Sequence, residues 1–156
     1  MLVEVTEGFG FSAAHFVLGH KKCEYLHGHN WRVGLTVEGD EDERGLVVDF
    51  LDLKRIMENI CNAYDHRLLL PSKNPALKVI TKGKSTRISV CGREFEFPTV
   101  DAVWLPAVNT TVEEFARVLA DEIIKSQSDR PNEKKIRVLV EESPGQSATE
   151  ERQIRT

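Results

Sequence analysis

The chain has few cysteines, no long apolar run and no surplus of basic charge. Cys23, Cys61 and Cys91 are odd in number and irregularly spaced. Such a set does not make a disulfide framework and suits a reducing compartment. No stretch approaches the roughly 20 apolar residues a membrane helix needs. The opening Met1-Leu2-Val3-Glu4-Val5 carries an acidic residue and no basic segment, so a signal peptide is not expected. A formal net charge of -4 gives no global attraction to nucleic acid or to an anionic membrane surface. Internal repeats and low-complexity tracts are also lacking. These absences lead to the expectation of a cytoplasmic protein with neither nucleic acid nor membrane as a partner. What is present is a chain of 156 residues, 40% apolar and 29% charged. That is enough for one domain over 1–156 with a real core, and it argues against long disordered tails.

Residues 2–16 alternate in character, with Val3, Val5, Phe9, Phe11, Ala13 and His15 on one parity. This predicts a half-buried strand, bent or bulged around Gly8–Gly10. A loop follows over 17–26. Residues 27–38 alternate again, with His27, His29, Trp31, Val33, Leu35 and Val37 on one parity. Side chains at i and i+2 of a strand share a face. If the two strands pair as an antiparallel hairpin with His15 near His27 or His29, one face therefore carries both apolar stripes and all three imidazoles.

From Phe50 the apolar spacing becomes helical, with Asp49 as N-cap and an expected end near Ala63–Asp65. A second helix starts at 109–114, where Thr111 and Glu114 have capping-box spacing, and stops before Ser126–Pro131. A closing strand is expected over Ile136–Val140, then a polar tail over Ala148–Arg155 with room for a short last strand. Residues 72–106 read as an insertion. Its turn signals, Lys82-Gly83-Lys84 and Cys91-Gly92, predict a β-hairpin at about 77–98. Lys78, Lys82, Lys84, Arg87 and Arg93 make that insertion basic; it reads either as a solvated basic hairpin or as one in which Lys82, Lys84 or Arg87 holds an anionic substrate group. The fold class is α+β, with two helices on one face of an antiparallel sheet.

Two histidines at i and i+2, a third on the partner strand and a nearby cysteine suit zinc. Three protein ligands with one open position describe a catalytic ion better than a structural one. Cys23 is either a further ligand or a base beside the metal, where the ion would favour its thiolate. Asp65-His66 forms a second centre, because an aspartate can fix the tautomer of a histidine and make it a competent proton donor or acceptor. A solvated helix-end histidine is the plainer reading of that pair. By alternation with Val138 and Val140, Glu142 faces inward, where a carboxylate can accept the paired N–H groups of a guanidine-like heterocycle edge. An exposed strand-end charge is its plainer reading. His20 reads as a solvated loop histidine and Cys61 as core packing.

His15, Cys23-Glu-Tyr-Leu-His27-Gly-His29, Asp49-Phe50, Asp65-His66, Thr111-Val-Glu113 and Glu142-Ser143 stand in the order and approximate spacing of a known family. The chain resembles the 6-pyruvoyl-tetrahydropterin synthase and 6-carboxytetrahydropterin synthase family over most of its length outside 72–106. The resemblance implies the tunnelling fold: a four-stranded antiparallel sheet with two helices, assembled as a homo-hexamer (a dimer of trimers) with active sites between subunits. It implies 7,8-dihydroneopterin triphosphate as substrate and Zn2+ held by His15, His27 and His29. Cys23 is then the general base, Asp65 and His66 the proton relay, Glu142 the pterin anchor, and Thr111 a residue near the ring. Three residues between Cys23 and His27 resemble the 6-carboxytetrahydropterin synthase pattern of 7-deazaguanine synthesis. The alternatives are the sister 6-pyruvoyl activity and a non-catalytic metal- or purine-binding module. Intact Cys23, Asp65 and His66 argue against the module. A cupin-like oxygenase expects a glutamate soon after the His-x-His pair, and the nearest is Glu38. The chain departs from the family pattern at Glu142-Ser143, at Asn109-Thr110-Thr111 and in the long insertion.

Overall fold

A computed structural model describes residues 1–126 and 132–154. The bent first strand appears as two strands, β1 (Leu2–Val5) and β2 (Gly10–His15), laid end to end along one edge of the long β3 (His27–Gly39). Gly8 turns the chain between them in the left-handed region, φ 87°. Gly10 has no space for a side chain, because a Cβ there would lie 2.4 Å from the Trp31 carbonyl oxygen. The register pairs Val3 with Val37, Phe11 with Trp31, Ala13 with His29 and His15 with His27.

The first helix, α1 (Phe50–Tyr64), starts as its sequence requires, with the Asp49 carboxylate accepting from Leu51 N, and Asp65 closes it as C-cap. After it comes β4 (Arg67–Pro71). The insertion folds as β5 (Lys78–Lys82), β6 (Ser85–Val90) and β7 (Arg93–Pro98), an antiparallel sheet of its own. The expected hairpin is β6–β7, and β5 adds a third strand. Between Val90 and Arg93, Cys91 and Gly92 both have positive φ, 51° and 73°, as a tight type I′ turn requires. The short β8 (Ala102–Leu105) then returns to the main sheet.

The second helix, α2 (Val112–Ser126), begins at the predicted capping box, Glu114 N donating to Thr111 Oγ1 at 3.3 Å. It runs through Ser126, one residue past its expected stop; residues 127–131 lie outside the described residues. The closing strand is longer than expected, β9 (Glu133–Ser143). The polar tail is a full strand, β10 (Gln146–Gln153), paired to β9 across the turn at Pro144-Gly145. Arg155 lies outside the described residues.

The antiparallel arrangement of β1/β2, β3, β9 and β10 is the four-stranded sheet that the sequence implied. Two parallel strands extend it, giving the order β10-β9-β3-β2-β4-β8 with β1 also on β3. Both helices cover one face. Phe11 and Trp31, opposite each other on β2 and β3, stack at 6.1 Å. Phe115 of α2 meets Phe11 at 5.6 Å, Trp31 at 5.4 Å and Tyr64 of α1 at 4.9 Å. The Tyr64 hydroxyl donates to Glu122 at 2.6 Å and so ties the helices together. A second apolar cluster of Phe16, Leu70, Ile88 and Val90 joins the insertion to the start of the β2–β3 loop.

Phe115 is fully buried at the centre of the aromatic group. Phe115→Ala is expected to lower stability by about 3–5 kcal/mol, measured by urea unfolding, with α1 and α2 losing their common anchor.

Candidate metal centre and the dyad beside it

Strand pairing brings the three histidines together as the alternation predicted. Ring centroids lie 4.6 Å apart for His15 and His27, 5.2 Å for His15 and His29, and 5.0 Å for His27 and His29. One ligand nitrogen from each lies within 4.8 Å of the others. Trp31 forms the floor beneath them, its ring 5.0 Å from His15 and 5.7 Å from His29.

Each ring is held from behind. His15 Nδ1–H donates to the Thr110 carbonyl at 2.9 Å, and His27 Nδ1–H donates to the Tyr25 carbonyl at 2.6 Å. His29 Nδ1 lies 3.2 Å from the Ser143 hydroxyl. A carbonyl accepts only, so the proton sits on Nδ1 in His15 and His27, and their Nε2 lone pairs face the cluster. The Nε2 atoms of His15 and His29 are buried without a hydrogen-bond partner. Buried polar atoms are rarely left this way. Three imidazoles fixed through Nδ1 and converging through Nε2 are the donor set and outer-shell arrangement of a zinc site, so the residues present fit that ion.

Burial keeps His15 and His29 neutral. It pushes the His15 pKa down to about 4, against a weaker upward pull from Thr110, with the other two histidines adding repulsion. It also lowers His29, opposed by the neighbouring Glu142 charge. Glu142 turns inward as the alternation with Val138 and Val140 required, its Oε1 3.2 Å from His29 Nε2, though not aligned for a hydrogen bond.

Asp65 and His66 stand where α1 gives way to β4. His66 Nδ1 and Asp65 Oδ2 are 2.8 Å apart, and Asp65 Oδ1 accepts from Ser12 N at 2.9 Å. The Ser12 N–H and then His66 hold the Asp65 carboxyl below the usual carboxylate range. His66 itself occupies the left-handed region, φ 58°, with its N–H on the Ser12 carbonyl at 2.7 Å. Its side chain is 83% exposed. His66 and His29 line the same open cleft of about 560 Å³, together with Ser12, Gly28 and Asn30.

Cys23 sits in a 3-10 turn, Lys21–Glu24, within the β2–β3 loop. Its thiol is free and half-buried. Thr111 Oγ1 is occupied by the cap of α2. Its two predecessors carry more of the architecture than the sequence suggested. Asn109 pairs with both backbone groups of Leu18, at 3.0 and 2.9 Å, and Thr110 holds Phe16 O at 2.7 Å as well as His15. The chain's Asn-Thr-Thr was the available signal, but no periodicity marks it. Cys61 is buried in the core as expected. In the insertion, Arg87 is paired to Glu96 at 2.9 Å, and Lys82 and Lys84 line a separate hollow with Glu96 and Phe97. Among the described residues no helix is long and apolar enough to cross a membrane.

Antiparallel strands with two helices on one face hold three histidines that could bind a metal ion, with an Asp–His pair where the first helix meets β4. The family model for 6-pyruvoyl tetrahydropterin synthase matches residues 4–153. A Methanocaldococcus jannaschii protein provisionally named 6-carboxy-5,6,7,8-tetrahydropterin synthase is 33% identical over 117 residues, covering 74% of this chain and 72% of that protein. The 6-carboxy-5,6,7,8-tetrahydropterin synthase of Rickettsia bellii is 30% identical over 125 residues, covering 78% and 80%. The structure of Plasmodium falciparum 6-pyruvoyl tetrahydropterin synthase superposes with a TM-score of 0.90 at 31% identity, covering 98% of both chains. The chain belongs to the 6-pyruvoyl tetrahydropterin synthase family, and it is an enzyme of the lyase class with that family's tunnelling fold.

In metal-free protein, His15 binds a proton more weakly when folded (pKa about 4) than as a free histidine at 6.5. Between those values the unfolded chain carries more protons, so stability falls as pH drops through this window. The His15 contribution to that loss is roughly 3 kcal/mol. Urea unfolding of chelator-treated protein at pH 7 and near pH 4.5 is expected to show a steeper loss for wild type than for His15→Gln.

Proposed function

We propose that this enzyme is a zinc-dependent 6-carboxy-5,6,7,8-tetrahydropterin synthase. It acts on 7,8-dihydroneopterin triphosphate and releases triphosphate and acetaldehyde, in the 7-deazaguanine (queuosine or archaeosine) pathway of the cytoplasm. The observation that carries this reading is the convergence of three imidazoles, their Nδ1 sides held and two buried Nε2 atoms without a hydrogen bond. Zinc held by His15, His27 and His29 would supply Lewis acidity toward the oxygens of the substrate side chain.

The remaining steps belong to the chain's own groups. Cys23 takes a proton from side-chain carbon next to those oxygens. His66, oriented by Asp65, moves protons at the opposite face. Glu142, beside the metal ligands, accepts the paired N–H groups of the pterin edge, with Thr111 near the ring at the start of α2. His66 is 83% exposed, which supports a site completed between subunits: the dyad of one copy works against the histidines of another in a homo-hexamer. The insertion 72–106 is part of the same single domain.

Two observations favour the carboxy product: the three residues between Cys23 and His27, and the names of the archaeal and bacterial relatives. The name of the Plasmodium falciparum structure favours the 6-pyruvoyl product. Product analysis separates them. Zinc-loaded protein incubated with 7,8-dihydroneopterin triphosphate is expected to yield a 6-carboxy pterin and acetaldehyde by mass spectrometry. A 6-pyruvoyl pterin would move the protein to the sister activity, and unchanged substrate with a full zinc site would sink both. Cys23→Ala is expected to lower kcat by about 10²- to 10⁴-fold with zinc content unchanged. His27→Ala is expected to lose zinc on dialysis, read by atomic absorption.

A further inference from the structure

The loop that carries Cys23 is held by a part of the molecule that the reaction does not otherwise use. Arg93, the first residue of β7, donates from its guanidinium to the Glu24 carbonyl at 2.6 Å, across 69 residues of chain. The same guanidinium lies over the Tyr25 ring, 4.1 Å from its centroid. Its two partners are the residues immediately after Cys23. They also precede His27, whose Nδ1 is fixed by the Tyr25 carbonyl. The Glu24–Tyr25 peptide thus connects the thiol to a candidate ligand, and Arg93 grips it.

The loop needs such a grip. Lys21, two residues before Cys23, is a non-glycine residue at φ 43°, a backbone state that persists only where surroundings enforce it. Inside the loop, Cys23 closes on itself through Val17 N to Cys23 O at 2.7 Å and Cys23 N to His20 O at 2.9 Å, and Glu24 Oε1 accepts from Gly19 N at 2.9 Å. At its near end the loop is fixed by Phe16, stacked on Phe95 of β7 at 5.8 Å. At its far end the insertion supplies Arg93. The turn before it, Cys91-Gly92, brings Cys91 Sγ to 4.0 Å from Glu24 Oε1. The insertion therefore touches the loop on both sides of Cys23. Its other arginine, Arg87, is spent on Glu96 within the inserted sheet.

We propose that Arg93 is a positioning residue: from the inserted sheet it clamps the loop bearing Cys23 and so sets where that thiol stands relative to the three-histidine centre. The clamp rests on the proposed role of Cys23, and its test is read in two ways for that reason. Zinc-saturated wild type, Arg93→Ala and Arg93→Lys are compared by hydrogen–deuterium exchange and by steady-state kinetics on 7,8-dihydroneopterin triphosphate. In Arg93→Ala, amides of the 17–25 segment are expected to exchange several-fold faster while β3, α1 and β9 are unchanged. The kcat is expected to fall about tenfold or more with KM and zinc content held. Arg93→Lys, which keeps a cation and an N–H donor, is expected to restore most of both.

Unchanged exchange in 17–25 would overturn the clamp, and so would faster exchange with unchanged kcat. Loss of protection throughout the protein would reduce Arg93 to general stability and overturn the proposal as well. If wild type fails to turn over the substrate, the functional reading falls, while the exchange arm still decides whether Arg93 holds the loop.

Discussion

The register between β2 and β3 is the constraint on which the rest depends. Side chains alternate along a strand, so a slip of one residue would send each of them to the other face. With Phe11 opposite Trp31, Ala13 opposite His29 and His15 opposite His27, the same face that seats the helices also gathers three imidazoles. Core and candidate metal site are one surface. Trp31 belongs to both, packing on Phe115 below and on His15 and His29 above. Apolar burial around that tryptophan fixes the register, and the register fixes the donor geometry without a dedicated scaffold.

The same burial sets the electrostatics. Three imidazoles packed this closely would repel if charged, and desolvation holds His15 and His29 neutral. Glu142 partly offsets this at His29 from 3.2 Å away. The Asp–His dyad has the opposite environment. It is exposed, and it is oriented by two contacts with the Ser12 backbone. Buried imidazoles and an exposed Asp–His pair are thus separated by depth.

Much of this was legible in the sequence, for identifiable reasons. Period-two alternation exposed the histidine face and the inward turn of Glu142. Asp49 and the Thr111–Glu114 spacing marked the helix starts. The strands β4 and β8 were hidden because Leu68-Leu69-Leu70 and Ala102-Val103-Trp104 are short apolar runs with no alternation to read, as strands in parallel pairing often are. β5 was hidden for the contrary reason: Lys78–Lys82 is exposed throughout and its partner is the insertion alone. Asn109, Thr110 and Arg93 act on the backbone of distant residues, and such contacts leave no trace in local pattern.

The strand connectivity also orders events in time. His15, His27 and His29 belong to neighbouring strands, so closing the loop between them costs little and can be early. Ser143, which backs His29, lies 114 residues further along the chain, and β9 seals β3 only when nearly all of it has been made. During synthesis from the N-terminus, the three imidazoles can therefore meet long before Ser143 and Glu142 reach them. A nascent chain of this enzyme gathers its imidazoles first and gains the strand that backs them last.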